Sequence, residues 1–161
     1  MNTRVAGLAI LLPLCGPVVP ALRAQAQDTS LANAIQLMRS DVRANKTQII
    51  GRALALPDSQ ANVFWPLYRQ FEVEAAKLTD ERVQVIRDYV GAYNTLTDQQ
   101  ALDIVKRVMD LDERRVKLNR DQYKEFAKHL PGKTVAHFFQ LNNFLNRVID
   151  LEVTAALPEV K

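Results

Sequence analysis

Apolar residues recur at intervals of three and four along most of the chain, which is the spacing of one face of an α-helix. Nowhere do apolar and polar residues alternate in a run rich in Val, Ile and Thr, the pattern typical of a half-buried strand. Four helices are therefore predicted, over residues 30–54, 58–93, 98–129 and 133–154. Because the connections between them are short, we expect an all-α fold of four long antiparallel helices, arranged as elongated helical hairpins.

Each predicted helix carries apolar positions that we expect to face the core. In the first helix these are Leu31, Ile35, Met38, Val42 and Ile49. In the second they are Phe64, Leu67, Phe71, Leu78, Val85, Ile86, Tyr89 and Tyr93. In the third they are Val105, Val108, Met109, Val116, Tyr123, Phe126 and Leu130. In the fourth they are Val135, Phe138, Phe139, Leu145, Val148 and Ile149. Because such long helices tend to leave an apolar face uncovered, we expect a homodimer.

Residues 1–26 have the features of a secretory signal peptide in the required order. Arg4 supplies a positive charge, residues 5–14 form an apolar run, and Ala24 and Ala26 give the small-x-small pattern of a cleavage site. The apolar run is about half as long as the roughly 20 residues that a membrane span needs. We therefore expect a signal peptide over 1–26 that exports the chain, and a single helical domain over 27–161. After cleavage near Ala26 the domain would keep no stable membrane anchor.

The only cysteine, Cys15, lies inside this predicted signal peptide. It allows an alternative in which the chain is a lipoprotein, but Pro13 and Leu14 are bulkier than the residues that precede such a cleavage site. Cleavage near Ala26 would remove the cysteine. The mature domain would then hold no disulfide, and packing alone would stabilise it.

Cleavage also changes the charge of the protein. The whole chain has 21 Lys and Arg against 18 Asp and Glu, a net charge of +3. Loss of Arg4 and Arg23 leaves 19 basic and 18 acidic residues, a net charge of +1. A nearly neutral domain lacks the electrostatic footprint of nucleic-acid binding, so no nucleic-acid partner is expected.

A sequence Leu-Thr-x-x-Gln at 96–100 predicts a helix start of the capping-box type. The Thr97 hydroxyl can accept a hydrogen bond from the Gln100 backbone N–H, while the Gln100 side chain accepts one from the Thr97 backbone N–H. A related sequence lies forty residues earlier, where Leu56 and Gln60 occupy the corresponding positions. Proline replaces the threonine there, so the side-chain cap is expected from one of the two residues that follow it, Asp58 or Ser59.

An exported helical chain with one complete and one partial Leu-Thr-x-x-Gln sequence resembles the LTxxQ family of periplasmic stress proteins, which includes Spy and CpxP. The resemblance covers about residues 50–130 and is carried by Leu96, Thr97 and Gln100, with Leu56 and Gln60 as the partial motif. The chain is most similar to exported members with Phe-Trp-Pro-x-Tyr, found here at 64–68.

The resemblance implies a cradle-like antiparallel dimer that binds unfolded or misfolded envelope proteins without ATP. Two alternatives come from other members of the family. One is a regulator that binds the periplasmic domain of an envelope sensor kinase, and the other is a periplasmic metal-responsive sensor with histidines and carboxylates at a dimer interface.

The aromatic residues near the start of the second helix allow two interpretations. Phe64, Tyr68 and Phe71 share one helical stripe and would pack in the core. Trp65 lies about 100° away from that stripe and is a candidate for an exposed client-binding anchor. If the cluster instead forms a surface that binds clients, the candidate client-binding residues are Trp65 and Tyr68.

The third helix carries a run of basic and acidic residues that predicts a solvated face. The expected pairs at a spacing of four are Asp103–Arg107, Asp110–Arg114 and Glu113–Lys117. A mixed-charge rim of this kind also suits the steering of charged clients.

Signals of catalysis are weak. The two histidines, His129 and His137, flank a helix break, and no third ligand stands at metal-binding spacing. No set of nucleophile, base and orienting residue can be assembled either. We expect a protein without enzymatic activity, without cofactors and without a metal site built within one chain.

Overall fold

The computed structural model of the protein describes residues 42–159, with side chains from residue 45 onward. The predicted signal peptide over 1–26 lies outside the described residues. So does the first half of the first predicted helix, with Leu31, Ile35 and Met38.

Within the described part the chain forms four α-helices and no strand, which confirms the all-α prediction. The helices are α1 (Val42–Leu54), α2 (Asp58–Ala92), α3 (Asp98–His129) and α4 (Gly132–Ala156), with a short 3-10 turn at Tyr93–Thr95. The predicted bounds of α2, α3 and α4 agree with these to within two residues. Their helix starts are accurate because each follows a proline or a threonine cap.

Successive helices run in opposite directions, so the two long helices α2 and α3 form an antiparallel hairpin. Arg82 of α2 pairs with Asp112 of α3, and Asp88, further along α2, pairs with Arg107, earlier in α3. Helix α4 packs against α3 and, on its other side, against α1. The described part of α1 therefore lies along the half of the bundle where α2 begins.

The main core lies at that end of the bundle and consists largely of aromatic rings. Phe138 of α4 is fully buried, and its ring centroid lies 4.9 Å from that of Phe126 of α3 and 5.2 Å from that of Phe64 of α2. The eight buried members come from all four helices and from Leu130, which follows α3: Ile50, Phe64, Tyr68, Phe71, Phe126, Leu130, Val135 and Phe138. Edge-to-face and offset contacts between such rings add to the stabilisation that burial provides.

A smaller aliphatic cluster lies at the other end of α2. Val83 and Ile86 of α2 pack there against Val153 of α4. Two tyrosines hold the chain end nearby, since the Tyr89 hydroxyl donates to the Pro158 carbonyl at 2.6 Å and the Tyr93 hydroxyl to that of Glu159 at 2.9 Å. The first cluster includes Ile50 of α1, whereas no described residue of α1 belongs to the second.

The predicted core of α2 is largely confirmed, but that of α3 is wrong at several positions. Phe126 is buried as expected, and so is Leu130 just after the helix. The α3 residues Val105, Met109, Val116 and Tyr123 were predicted to be buried but are at least half exposed, and Ile49 of α1 and Val148 of α4 are also exposed. Helix α3 has two apolar faces, and the bundle uses the one that contains Leu111.

Candidate functional site

The motif at 96–100 forms the start of α3. The Gln100 backbone N–H donates to Thr97 Oγ1 at 3.3 Å, and the Thr97 backbone N–H donates to Gln100 Oε1 at 2.9 Å, which confirms the capping box. Both side chains are exposed and Leu96 is half-buried. The Thr97 and Gln100 side chains thus accept hydrogen bonds from backbone N–H groups at the start of α3, which have no partner within the helix.

The partial motif at 56–60 behaves differently. Pro57 is the N-cap of α2 and no side chain caps the helix, so the expected cap from Asp58 or Ser59 is wrong. Gln60 instead accepts a hydrogen bond from the Thr134 hydroxyl of α4 at 2.8 Å, and Leu56 packs against the aromatic core. Because proline fixes the backbone in a conformation suited to a helix start, α2 begins without a side-chain cap.

Tyr68 is only 2% exposed and belongs to the aromatic core, so the structure removes it from the candidate client-binding residues. Burial raises the pKa of the Tyr68 hydroxyl, which lies 3.5 Å from that of Thr47 on α1. Trp65 is half-buried, and its ring meets those of Phe64 and Tyr68 edge-to-face. The Trp65 ring also lies beside Gly51 of α1, so part of its apolar surface serves the α1–α2 contact.

Among the described residues a row of exposed apolar side chains runs along α3, which we call the α3 stripe. Its members are between 50% and 66% exposed and comprise Leu102, Val105, Met109, Val116 and Tyr123. Four of the five recur every seven residues, namely Leu102, Met109, Val116 and Tyr123. Seven residues make about two helical turns, so these side chains lie in line along α3. From Leu102 to Tyr123 the stripe is about 32 Å long at a rise of about 1.5 Å per residue.

The α3 stripe is exposed because the opposite side of the helix packs in the bundle. Leu111 is buried and Leu118 packs against the aromatic core. At about 100° per residue, Met109 and Val116 lie roughly 140–160° around the axis from Leu111. Of the five side chains only Tyr123 has a ring contact with another described helix, to Phe139 of α4, and all five keep at least half of their surface in contact with water.

Exposed ion pairs border the α3 stripe on one flank. Lys106 Nζ lies 3.0 Å from Asp110 Oδ2, and Lys117 Nζ lies 3.5 Å from Asp121 Oδ2. Both pairs have the i,i+4 spacing of neighbours on a helix surface. The α3 stripe is therefore bordered by charges of both signs, and neither sign dominates the electrostatic potential there.

The basic residues of α3 are not simply a solvated face, and this prediction is corrected. Asp103–Arg107 forms at 3.8 Å as expected, but Arg107 also reaches Asp88 of α2 at 2.7 Å. Arg114 binds Glu81 of α2 through both of its terminal nitrogens instead of pairing with Asp110. The long arginine side chains can span the gap to a neighbouring helix, which sequence spacing within one helix does not reveal.

A groove of about 100 Å³ opens between α2, α3 and α4. Lys46, near the N-terminal end of the described part of α1, also lines it. Its six charged residues are mutually paired, as Lys46–Glu72, Arg82–Asp112, and Arg115 with both Asp112 and Asp150. A volume this small holds a few water molecules and falls below the range of small-molecule sites. With its charges already compensated, the groove offers no specific attraction to a charged ligand.

Among the described residues one buried polar side chain has no hydrogen-bond partner. Asn142 of α4 is fully buried, and neither atom of its side-chain amide has a hydrogen-bond partner within the described structure. Buried amides of this kind are uncommon, because removing the group from water without replacing its hydrogen bonds costs free energy.

The described residues give no support for metal chemistry. They contain no group of three or more His, Cys, Asp and Glu side chains able to hold a metal ion. His129 Nε2 lies 3.2 Å from Glu125 Oε1 within α3, and His137 is exposed on α4. Between residues 42 and 159 there is also no helix that is both long and apolar enough to cross a membrane.

Sequence reasoning missed the α3 stripe because it assigned Val105, Met109, Val116 and Tyr123 to the core and did not consider Leu102 or Leu111. A signal was present, since Leu102, Met109, Val116 and Tyr123 keep a strict interval of seven. That interval differs from the register of the buried Leu111 and Phe126, and two registers on one helix indicate two apolar faces.

Comparisons of the chain with protein-family models, with curated proteins and with solved structures each gave no match. The candidate site therefore rests on the geometry of this chain.

Proposed function

We propose that the protein binds unfolded or misfolded envelope proteins in the periplasm without ATP, as a stress-related chaperone, and that the α3 stripe is its client-binding surface. The observation that carries this proposal is the row of five apolar side chains, each at least half exposed, on a helix whose other face is fully used in packing. Exposed contiguous apolar surface of this kind is typical of sites that bind other proteins.

The shape of the surface suits clients of varied sequence. An open helix face forms no pocket that would select one side chain, and apolar contact is non-directional. Met109 at its centre adds a flexible side chain that adapts to different partners. The adjoining ion pairs, Lys106–Asp110 and Lys117–Asp121, keep the surface soluble and can rearrange around charged client residues.

Binding through this surface should be weak and reversible. Each half-exposed apolar side chain that a client covers contributes about 1 kcal/mol. The ordering of an unfolded client and the loss of its freedom of movement oppose that gain. Weak affinity is compatible with a protein that must release its clients without an energy source.

The test is suppression of aggregation, followed by light scattering of a chemically denatured client after dilution. The mature protein should suppress scattering at stoichiometric amounts. Met109→Glu combined with Val116→Glu should weaken this by roughly a hundredfold in concentration, because about 1.4 kcal/mol lost at each position is a tenfold change in affinity.

Val73→Glu provides the matched control. Val73 is 58% exposed on α2, outside the α3 stripe, so a glutamate there adds the same charge without affecting the proposed surface. The proposal is wrong if the unmodified protein fails to suppress aggregation, or if Val73→Glu reduces suppression as strongly as the double substitution.

The expected homodimer forms part of the same proposal. Two copies that cover their α3 stripes with each other would compete with clients for the same surface. Sedimentation velocity should therefore show a dimer that dissociates when a client peptide is added, and Met109→Glu with Val116→Glu should give a monomer.

A further inference from the structure

A row of six side chains runs along one flank of α4 at intervals of three and four residues, and we call it the α4 face. Its members are Lys133, His137, Leu141, Phe144, Val148 and Leu151. Phe144 is 62% exposed and Leu151 is 69% exposed, so both keep most of their apolar surface in water. The apolar part, from Leu141 to Leu151, is about 15 Å long at a rise of about 1.5 Å per residue. The α4 face is thus basic at its N-terminal end and apolar over the rest.

The α4 face lies away from the side of α4 that packs on α3. Phe138 is fully buried, and the Phe139 ring contacts that of Tyr123 on α3. At about 100° per residue, Phe139 lies to one side of Phe138, whereas Phe144 and Val148 lie roughly 80–120° to the opposite side. The contact between α3 and α4 therefore leaves the α4 face open to water.

Helix α1 packs against α4 and adds to the same side of the bundle. Thr47 and Gly51 mark the flank of α1 that faces α2, since they lie beside side chains of that helix. At about 100° per residue, Ile49 lies roughly 160–200° around the axis from them, and it is 42% exposed. The exposed Arg52 follows three residues later, and α1 carries no acidic residue between Val42 and Leu54. The side formed by α1 and α4 is therefore apolar and basic.

The basic residues on this side have no partners within the described structure. Lys133 and Arg147 of α4 and Arg52 of α1 are exposed and make no ion pair or hydrogen bond there. Of the two acidic residues of α4, Asp150 is paired with an arginine of α3, and Glu152 lies past the C-terminal end of the α4 face. The uncompensated charge beside the apolar row is therefore positive, and it complements an anionic surface.

We propose that the α4 face binds the surface of a bilayer that contains anionic phospholipids. Helix α4 lies flat on the bilayer, with Phe144, Val148 and Leu151 at the boundary between headgroups and acyl chains. The long side chains of Lys133 and Arg147 reach the lipid phosphates. Binding of this kind is peripheral and reversible.

The shape of the α4 face favours a bilayer over a protein partner. The shallow surface beside Phe144 is lined by residues of α4 alone, so no second helix shapes a pocket there. A bilayer needs neither a pocket nor a fixed register. The α3 stripe differs, because the charges at its border are paired within α3. This inference is independent of the proposed function, which concerns the α3 stripe.

The test is co-sedimentation of the mature protein with lipid vesicles. We expect binding at low salt to vesicles of equal parts phosphatidylglycerol and phosphatidylcholine, and little binding to phosphatidylcholine alone. Lys133→Gln with Arg147→Gln should lower the partition coefficient on the anionic vesicles roughly thirtyfold, because each basic residue at the surface contributes about fivefold. Phe144→Glu with Leu151→Glu should lower it by roughly a hundredfold, through lost apolar contact and added repulsion.

Leu102→Glu with Met109→Glu on α3 is the matched control. It adds the same two negative charges and removes two exposed apolar side chains, but away from the α4 face. The partition coefficient should then change by no more than about threefold, because salt screens charges at that distance from the bilayer. The emission of Trp65, the only tryptophan, verifies in each variant that the domain is folded.

Three outcomes would overturn the inference. Equal binding to both kinds of vesicle would show that the basic residues do not select an anionic surface. Binding that survives Phe144→Glu with Leu151→Glu, or that the control pair weakens as strongly, would place the contact elsewhere on the protein. Absence of binding to the anionic vesicles, with binding of a glutamate-rich amphipathic peptide instead, would assign the α4 face to an acidic protein partner.

Discussion

The buried amide of Asn142 illustrates how one residue can lower the stability of a well-packed core. It is fully buried on α4 without a hydrogen-bond partner in the described structure. A buried amide lowers stability when its hydrogen bonds to water are lost on folding and not replaced.

Replacement of this amide should stabilise the protein. Asn142→Leu keeps the branching of the side chain at Cγ and removes the unsatisfied group, so we expect the free energy of unfolding to rise by about 1–3 kcal/mol. Urea denaturation followed by Trp65 emission measures it. Asn143→Leu, at the exposed neighbouring position, should change stability by less than about 0.5 kcal/mol. A decrease for Asn142→Leu would show that the amide is satisfied in solution.

Thr97 allows the structural role of the motif at 96–100 to be measured. Thr97→Ala removes the acceptor for the Gln100 backbone N–H and should lower the free energy of unfolding by about 1 kcal/mol. Thr97→Ser keeps the hydroxyl and should restore most of it. If Thr97→Ala instead left stability unchanged and weakened client binding, the motif would be a recognition element and not a helix cap.

At the scale of the elements, α2 and α3 are joined by a row of ion pairs as well as by apolar contacts. The hydrogen bond from Arg114 holds the pKa of the Glu81 carboxyl below its ordinary value, and that from Arg107 does the same for Asp88. Both pairs are largely exposed, so solvent and salt screen them and each contributes little alone.

These pairs predict a dependence of stability on pH. In the unfolded chain the two carboxyls regain their ordinary pKa values of about 4. At a pH between these values and the lower pKa values of the folded state, the unfolded state therefore binds more protons than the folded state. The stabilisation is present above about pH 5 and is lost as the pH falls through the lower folded values. Denaturation midpoints of the protein and of Glu81→Gln with Asp88→Asn should differ at pH 6, and the difference should shrink as the pH is lowered below the ordinary carboxyl range. A difference that stays the same as the pH falls would contradict this assignment.

The whole molecule is asymmetric along its length, with an aromatic core at one end and an aliphatic cluster at the other. The aromatic core contains eight buried residues that involve all four helices, and the aliphatic cluster contains three from two helices. Since local stability follows the amount of packed apolar surface, the two ends should open independently.

Hydrogen exchange should reveal this difference. We expect the slowest amides around Phe64, Phe126 and Phe138, and faster exchange at residues 83–90 and 151–156, measured by mass spectrometry at neutral pH. Phe138→Leu removes the central ring of the aromatic core. It should lower the hydrogen-exchange protection factors at the aromatic end by several hundredfold at most, and leave those at the aliphatic end nearly unchanged. Uniform protection along α2 would contradict a domain with two separately opening ends.

The sequence by itself determined the class of fold, the bounds of three helices and the capping box at Thr97. These features depend on contacts within a few residues of chain, such as apolar intervals, proline positions and the reach of a threonine hydroxyl. The burial of most apolar positions in α2 followed from the same periodicity.

Only the tertiary structure decided which apolar face of α3 is buried, and therefore which residues are candidates for binding. It placed Tyr68 in the core, Trp65 half-buried beside Gly51 of α1, and Met109 and Val116 in contact with water. A helix with two apolar faces has the same periodicity whichever face packs. The choice depends on where α2 and α4 lie, and that is set by contacts between residues tens of positions apart.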